Sequence, residues 1–134
     1  MKPFSLKIVT PDGLQYDGQA EELIVRTVSG DLGILAGHIN CVAPLGMGVA
    51  TILIDGSKRY GACIGGMVSV IDGAVKLVPT TFEWSDRIDV ARAKASENRA
   101  REMLRNATAG DVDIRLAEAR LKRSLVRQSA AKYQ

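Results

Sequence analysis

Through the first 86 residues, short apolar segments alternate with Gly, Asp, Pro and Ser at close spacing, and the pattern repeats every two residues. Phe4 to Val9 reads as a strand that stops at the strong turn Thr10-Pro11-Asp12-Gly13. Leu23 to Val28 sets Leu23 and Val25 on one face and Glu22 and Arg26 on the other, so only one side of it can be fully buried. Val49 to Ile54 is apolar on both faces, which predicts a central strand covered on both sides and turning at Asp55-Gly56. Met67 to Ile71 and Ala74 to Val78 flank Asp72-Gly73, a two-residue hairpin signal. Phe82-Glu83-Trp84 reads as a last edge strand, because Pro79 limits what precedes it and Thr80-Thr81 favour extended backbone. Trp84, the single Trp, either packs the junction that follows or meets a partner.

From Asp86 the period lengthens to about 3.6 residues. Ser85-Asp86, with Asp89 three residues on, predicts an N-cap close to a capping box, and a helix then runs to Leu104-Arg105. Asn106-Ala107-Thr108-Ala109-Gly110 breaks it, and a second helix begins near Asp111 or Asp113. Ile114, Ala117, Leu121 and Leu125 then face Ala93, Ala100, Met103 and Leu104 across a short connection. The class is α+β: residues 1–86 form an antiparallel sandwich or barrel, and residues 87–134 an antiparallel helical hairpin. The stripes are rich in Ala, and each Ala in place of Leu removes on the order of 1 to 2 kcal/mol of burial, so the hairpin's grip is modest. Good helix formers let it stay helical while it moves.

Charge divides at the same place. Residues 1–86 hold 6 basic against 9 acidic groups, and residues 87–134 hold 12 against 6. A basic tail points to an acidic or phosphate-bearing partner, or is simply a solvated helix face. No apolar run reaches the roughly 20 residues of a membrane span and the N-terminus lacks a signal-peptide pattern, so a soluble, cytosolic chain without direct membrane insertion is expected. Cys41 and Cys63 are far apart with no companion ligands, which predicts two small buried hydrophobes and no metal site. There is one His and no nucleophile–base pair or metal cluster, so no catalytic set stands out. Nucleic acid is the alternative for the basic tail, whose Arg99, Arg101, Arg105, Arg115, Arg120, Lys122, Arg123 and Arg127 could meet phosphates; with Tyr133 the one aromatic among the helices and no recognition motif, that reading loses specificity.

One stretch organises the chain. Val28 to His38 carries glycines at 30, 33 and 37 around a short apolar run, which predicts a turn, a brief strand and another turn. It is no phosphate-cradling loop, since His38 and Ile39 stand where Lys and Ser or Thr would be needed. The run Ser-Gly-Asp-Leu-Gly-Ile-Leu-x-Gly-His at 29–38, after Val9-Thr10-Pro11-Asp12-Gly13, resembles the epsilon subunit of bacterial F-type ATP synthases. Val42-Ala43-Pro44-Leu45, Gly65-Gly66-Met67-Val68-Ser69-Val70 and Ile88-Asp89-Val90-Ala91-Arg92-Ala93 extend the likeness along nearly the whole chain. It departs at Ala36 and Asn40, where the family usually or often has Pro.

The resemblance implies a non-catalytic subunit of the complex that makes ATP from ADP with a transmembrane proton or sodium gradient, peripheral on the cytoplasmic face of the cell membrane. Its sandwich would join the gamma subunit to the polar loops of the c ring, with the loop Gly30-Asp31-Leu32-Gly33 facing those loops and His38 nearby. Its tail would fold against the sandwich, or extend along gamma among the catalytic alpha and beta subunits and inhibit hydrolysis, with Arg115, Arg120, Lys122 and Arg123 meeting an acidic segment of beta. No cofactor is required, but Ile88-Asp89-Val90-Ala91-Arg92-Ala93 matches the I-D-x-x-R-A motif of members that bind ATP in the folded tail. To the motif's Ile88, Asp89, Arg92 and Ala93, Arg99 two turns on and Arg123 or Arg127 of the second helix would add phosphate contacts in the closed hairpin, and Glu83 the adenine side; from spacing alone, Asp89 and Arg92 read first as an ordinary intrahelical pair.

Overall fold

The computed structural model of the chain describes residues 1–106 and 112–133. Its strands are β1 (Phe4–Thr10), β2 (Gly13–Ala20), β3 (Glu22–Thr27), β4 (Gly30–Ile34), β5 (Cys41–Pro44), β6 (Met47–Ile54), β7 (Ser57–Ile64), β8 (Met67–Ile71), β9 (Ala74–Val78) and β10 (Thr81–Trp84). They form two five-stranded sheets, ordered β2-β1-β9-β8-β5 and β10-β7-β6-β3-β4. All pairings are antiparallel except β1 with β9, which is parallel, a direction that alternation along a strand does not encode. Leu6 and Ile8 from β1, Val68 from β8 and Leu77 from β9 close against Leu23, Val25, Ile34 and Ile52, and all eight are fully buried. The two hairpins expected at Asp55-Gly56 and Asp72-Gly73 are present, and all four residues take positive φ (50°, 78°, 49° and 84°), the turn whose twist matches the strands.

The brief strand expected after Ser29 is β4, and it takes in Gly30 to Gly33, so those residues are an edge strand rather than a loop. Cys63 is buried and its thiol is pushed up to about 12 by burial, whereas Cys41 is only half-buried, its Sγ 4.0 Å from His38 Nδ1. Trp84 packs inside the sandwich, edge-on to Phe82 and Tyr16 with the Arg59 guanidinium 3.8 Å over its ring. It therefore fills the space between the sheets, not the seam with the helices.

The helices make a third layer. A 3-10 turn (Ser85–Arg87) follows β10, and α1 (Val90–Asn106) starts later than expected: Asp89 is its N-cap, accepting from the Arg92 N–H at 3.0 Å. Ser85-Asp86 therefore caps no α-helix, because the chain spends those residues on a single tight turn and reaches Ile88 in an extended conformation (φ −76°, ψ 126°). α2 (Val112–Ala131) returns antiparallel. Of the break expected over Asn106 to Gly110, Asn106 is instead the last residue of α1, and the rest of it, with the alternative helix start at Asp111, lies outside the described residues.

α2 lies on the outer face of the second sheet. Ala130 is buried there with Ala62 and Ile88, flanked by Val49, Val126 and Ala131, so the central strand β6 is covered on its second face in part. Tyr133 stacks on Tyr60 at 4.4 Å between centroids. The seam between the helices differs from the expected stripe. Ala93, Ala100 and Ala117 are buried as expected, but Leu125 is 40% exposed, and Glu97 and Ser124 take buried places. Glu97 accepts from Gln128 Nε2 (2.9 Å), Arg101 Nε (2.7 Å) and Lys94 Nζ (3.2 Å), and these bonds hold its carboxyl down at about 2. A carboxylate so fully paired can occupy a small-residue seam where an unpaired one could not.

Candidate functional site

Thr81 and Glu83 are two apart on β10, so both side chains leave the same side of the sheet, towards the hairpin. Asp89 at the cap of α1, Arg92 and Ala93 in its first turn, and Ser96, Arg99, Ala100 and Met103 over the next turns run beside them. Arg120, Arg123 and Arg127 come from α2 at three- and four-residue spacing, one face of a helix. The three elements enclose two clefts.

The first cleft, about 320 Å³, is lined by Glu83, Arg87, Asp89, Arg92, Ala93 and Arg127. The second, about 250 Å³, is lined by Thr81, Ser96, Arg99, Ala100, Met103, Arg120, Arg123 and Arg127. Arg127 stands in both. Its Nε lies 2.7 Å from Glu83 Oε1, an ion pair whose N–H does not point along the contact, so a buried donor is left without an aligned acceptor. The charge is graded along the groove: carboxylates from Glu83 and Asp89 sit among cations in the first cleft, while the second is lined, among the described residues, by four arginines and no acid. Such a groove suits a ligand with hydrogen-bond donors at one end and several negative charges at the other.

Of the eight residues expected for an ATP site, Glu83, Asp89, Arg92, Ala93, Arg99, Arg123 and Arg127 line the two clefts. Ile88 does not; it is 7% exposed and packs with Ala62 and Ala130 beneath the groove. Asp89 and Arg92 are joined through the backbone N–H of Arg92, so the pair is a helix cap and not a side-chain ion pair on one helical face. Thr81, Arg87, Ser96 and Arg120 were missed as a set. Ser96 and Arg99 share the face of Arg92 at helical spacing, a signal the sequence did carry, whereas Thr81 depends on the pairing of β10 with β7.

The other implied residues separate. Arg120 and Arg123 belong to the groove, while Arg115 and Lys122 line a different depression with Met47, Leu121 and Leu125, so the four cations do not form one patch. Asp31 is ion-paired with Arg26 at 2.8 Å on the exposed side of β4. The His38 ring donates from Nδ1 to Ile39 O at 2.8 Å, which holds it within its own turn. Among the described residues no group of His, Cys, Asp and Glu could hold a metal ion, and no helix is long and apolar enough to cross a membrane.

Known proteins share this layout. A family model described as the beta-sandwich domain of the ATP synthase delta/epsilon chain matches residues 3–85, and its long alpha-helix domain matches residues 86–132. The ATP synthase epsilon chain of Bacillus pumilus is 44% identical over 131 residues, 98% of each chain, and that of Ruminococcus albus is 42% identical over 132 residues, also 98% of each. A chain in the Euglena gracilis mitochondrial ATP synthase has the same fold (TM-score 0.81, 23% identity, covering 96% of this chain and 81% of that one). The chain belongs to the ATP synthase delta/epsilon family, as an epsilon subunit.

Proposed function

We propose that this epsilon subunit carries a nucleotide-sensitive brake: its hairpin closes on the sandwich around ATP, and extends to inhibit hydrolysis when ATP is scarce. The observation that carries this reading is the graded groove. Adenine amine and ribose hydroxyls are donors and suit Glu83 and Asp89, while a triphosphate suits Arg92, Arg99, Arg123 and Arg127. Because the lining comes from β10, α1 and α2 together, a ligand spanning it binds the closed arrangement better than any opened one. The ligand then shifts the population towards the closed state by that difference in affinity. Calorimetry on the whole chain tests the site. Saturable heat with ATP that disappears in Arg92→Ala and falls in Arg127→Ala supports it, and no saturable heat at millimolar ATP refutes it.

The partners follow from the surface. The outer face of the first sheet exposes Val42 (61%), Met67 (42%), Ile71 (56%) and Val78 (41%) from adjacent strands, an apolar patch of the kind that covers itself with a partner. We assign it to the gamma subunit. The β4 edge with Asp31 and Arg26 is polar and open, which suits the polar loops of a c ring and a peripheral position at a membrane complex. Arg115 and Lys122, exposed on α2, remain available to acidic segments of the catalytic alpha and beta subunits. Co-purification with gamma that is lost in Val42→Asp and Met67→Asp, with an unchanged melt, supports the assignment; retention of gamma by both refutes it.

A further inference from the structure

We infer that Thr81 is the residue through which the sandwich senses the phosphates of a ligand in the groove; this rests on the nucleotide reading above. Its Oγ1 is buried without a hydrogen-bond partner among the described residues, and Thr81 lines the arginine-rich cleft. A buried hydroxyl with no acceptor destabilises the fold that holds it, and a Val of the same shape would fill the place without that penalty. An anionic oxygen entering the cleft supplies the acceptor.

The position matters more than the single bond. Arg99 lies on α1 and Arg120, Arg123 and Arg127 on α2, so the cations travel with the hairpin. In the second cleft only Thr81 belongs to the sandwich. Glu83, the sandwich residue of the first cleft, is an acid and cannot hold phosphate. Phosphate contacts made by the hairpin alone would be equally strong with the hairpin docked or undocked, and a ligand with equal affinity for two states shifts neither. The Thr81 hydroxyl donates to a phosphate oxygen only when the hairpin rests on β10. It therefore converts triphosphate binding into docking.

The test compares the whole chain with Thr81→Val and Thr81→Ser, using thermal melts and calorimetry with ATP. Thr81→Val should melt at the same or a higher temperature without ligand, yet bind ATP about tenfold more weakly, the scale of one lost hydrogen bond to a charged group. The rise in melting temperature on adding ATP should shrink with it, and Thr81→Ser should retain both. Wild-type affinity in Thr81→Val, beside a wild-type chain that binds, overturns this inference and leaves the nucleotide reading standing. An unliganded melt lowered in Thr81→Val also overturns it, because the hydroxyl is then structural. A wild-type chain without saturable heat overturns both.

Discussion

Glu97 shows how one residue can set the behaviour of the hairpin. Its folded pKa, lowered by bonds from Gln128, Arg101 and Lys94, lies near 2 against an ordinary 4.5. A depressed carboxyl contributes stability that is complete above the unfolded value and is lost as pH falls through the folded one, so the effect belongs between about pH 4.5 and 2. Amide exchange in α1 and α2 should therefore quicken as pH falls through that window, after correction for the intrinsic rate. Glu97→Gln should flatten the dependence; an unchanged dependence in that variant would remove Glu97 from the account. Gly66 is a residue-scale case in the sandwich. It holds φ +91°, and a Cβ there would overlap Val78 O and Pro79 Cα. Gly66→Ala should lower stability by about 1 to 3 kcal/mol in a denaturant melt, the usual range for overpacking, and a loss below about 0.5 kcal/mol would contradict the packing described.

At the scale of elements, α2 rather than α1 attaches the hairpin, through Ala130 on Ala62, Arg127 on Glu83 and Tyr133 on Tyr60. The Tyr pair is exposed enough to be altered without disturbing the core. A double-mutant cycle with Tyr60→Ala and Tyr133→Ala should give a coupling of about 0.5 to 1.5 kcal/mol, and a coupling of zero would mean that the stack does not hold the tail. The elements were unequally legible in the sequence. Strands with an apolar face and Asp-Gly turns could be read directly, as β6, β8 and β9 show. β2 and β5 could not, because both are sheet edges: Gly13–Ala20 carries almost no alternation and Cys41–Pro44 is four residues long. In the hairpin the Ala positions were legible and the rest was not. Glu97 and Ser124 look like surface residues until the partners that satisfy them are in place, and Leu125 looks like core although it faces outward. For the groove, seven lining residues were legible, three from the family motif and four from their positions beside it on the chain, while Thr81 and Arg87 became visible only once β10 and the turn after it were set against α1.

Taken whole, the molecule is three layers with two unequal seams. The seam between the sheets holds large, fully buried side chains, and the seam under the helices is built mainly from Ala62, Ile88 and Ala130. The first should survive loss of the second. A fragment of residues 1–86 should give a cooperative melt and, on the proposed assignment, bind gamma; a fragment without a cooperative melt would show that the helices complete the fold. The same inequality would let the hairpin leave the sandwich without unfolding it, as the proposed brake requires. Hydrolysis by a bacterial alpha–beta–gamma complex carrying this chain tests that claim most directly. Suppression at low ATP should be relieved as ATP rises, with relief moved to higher ATP in Arg127→Ala. Hydrolysis equally suppressed at every ATP concentration, or never suppressed at all, would contradict it.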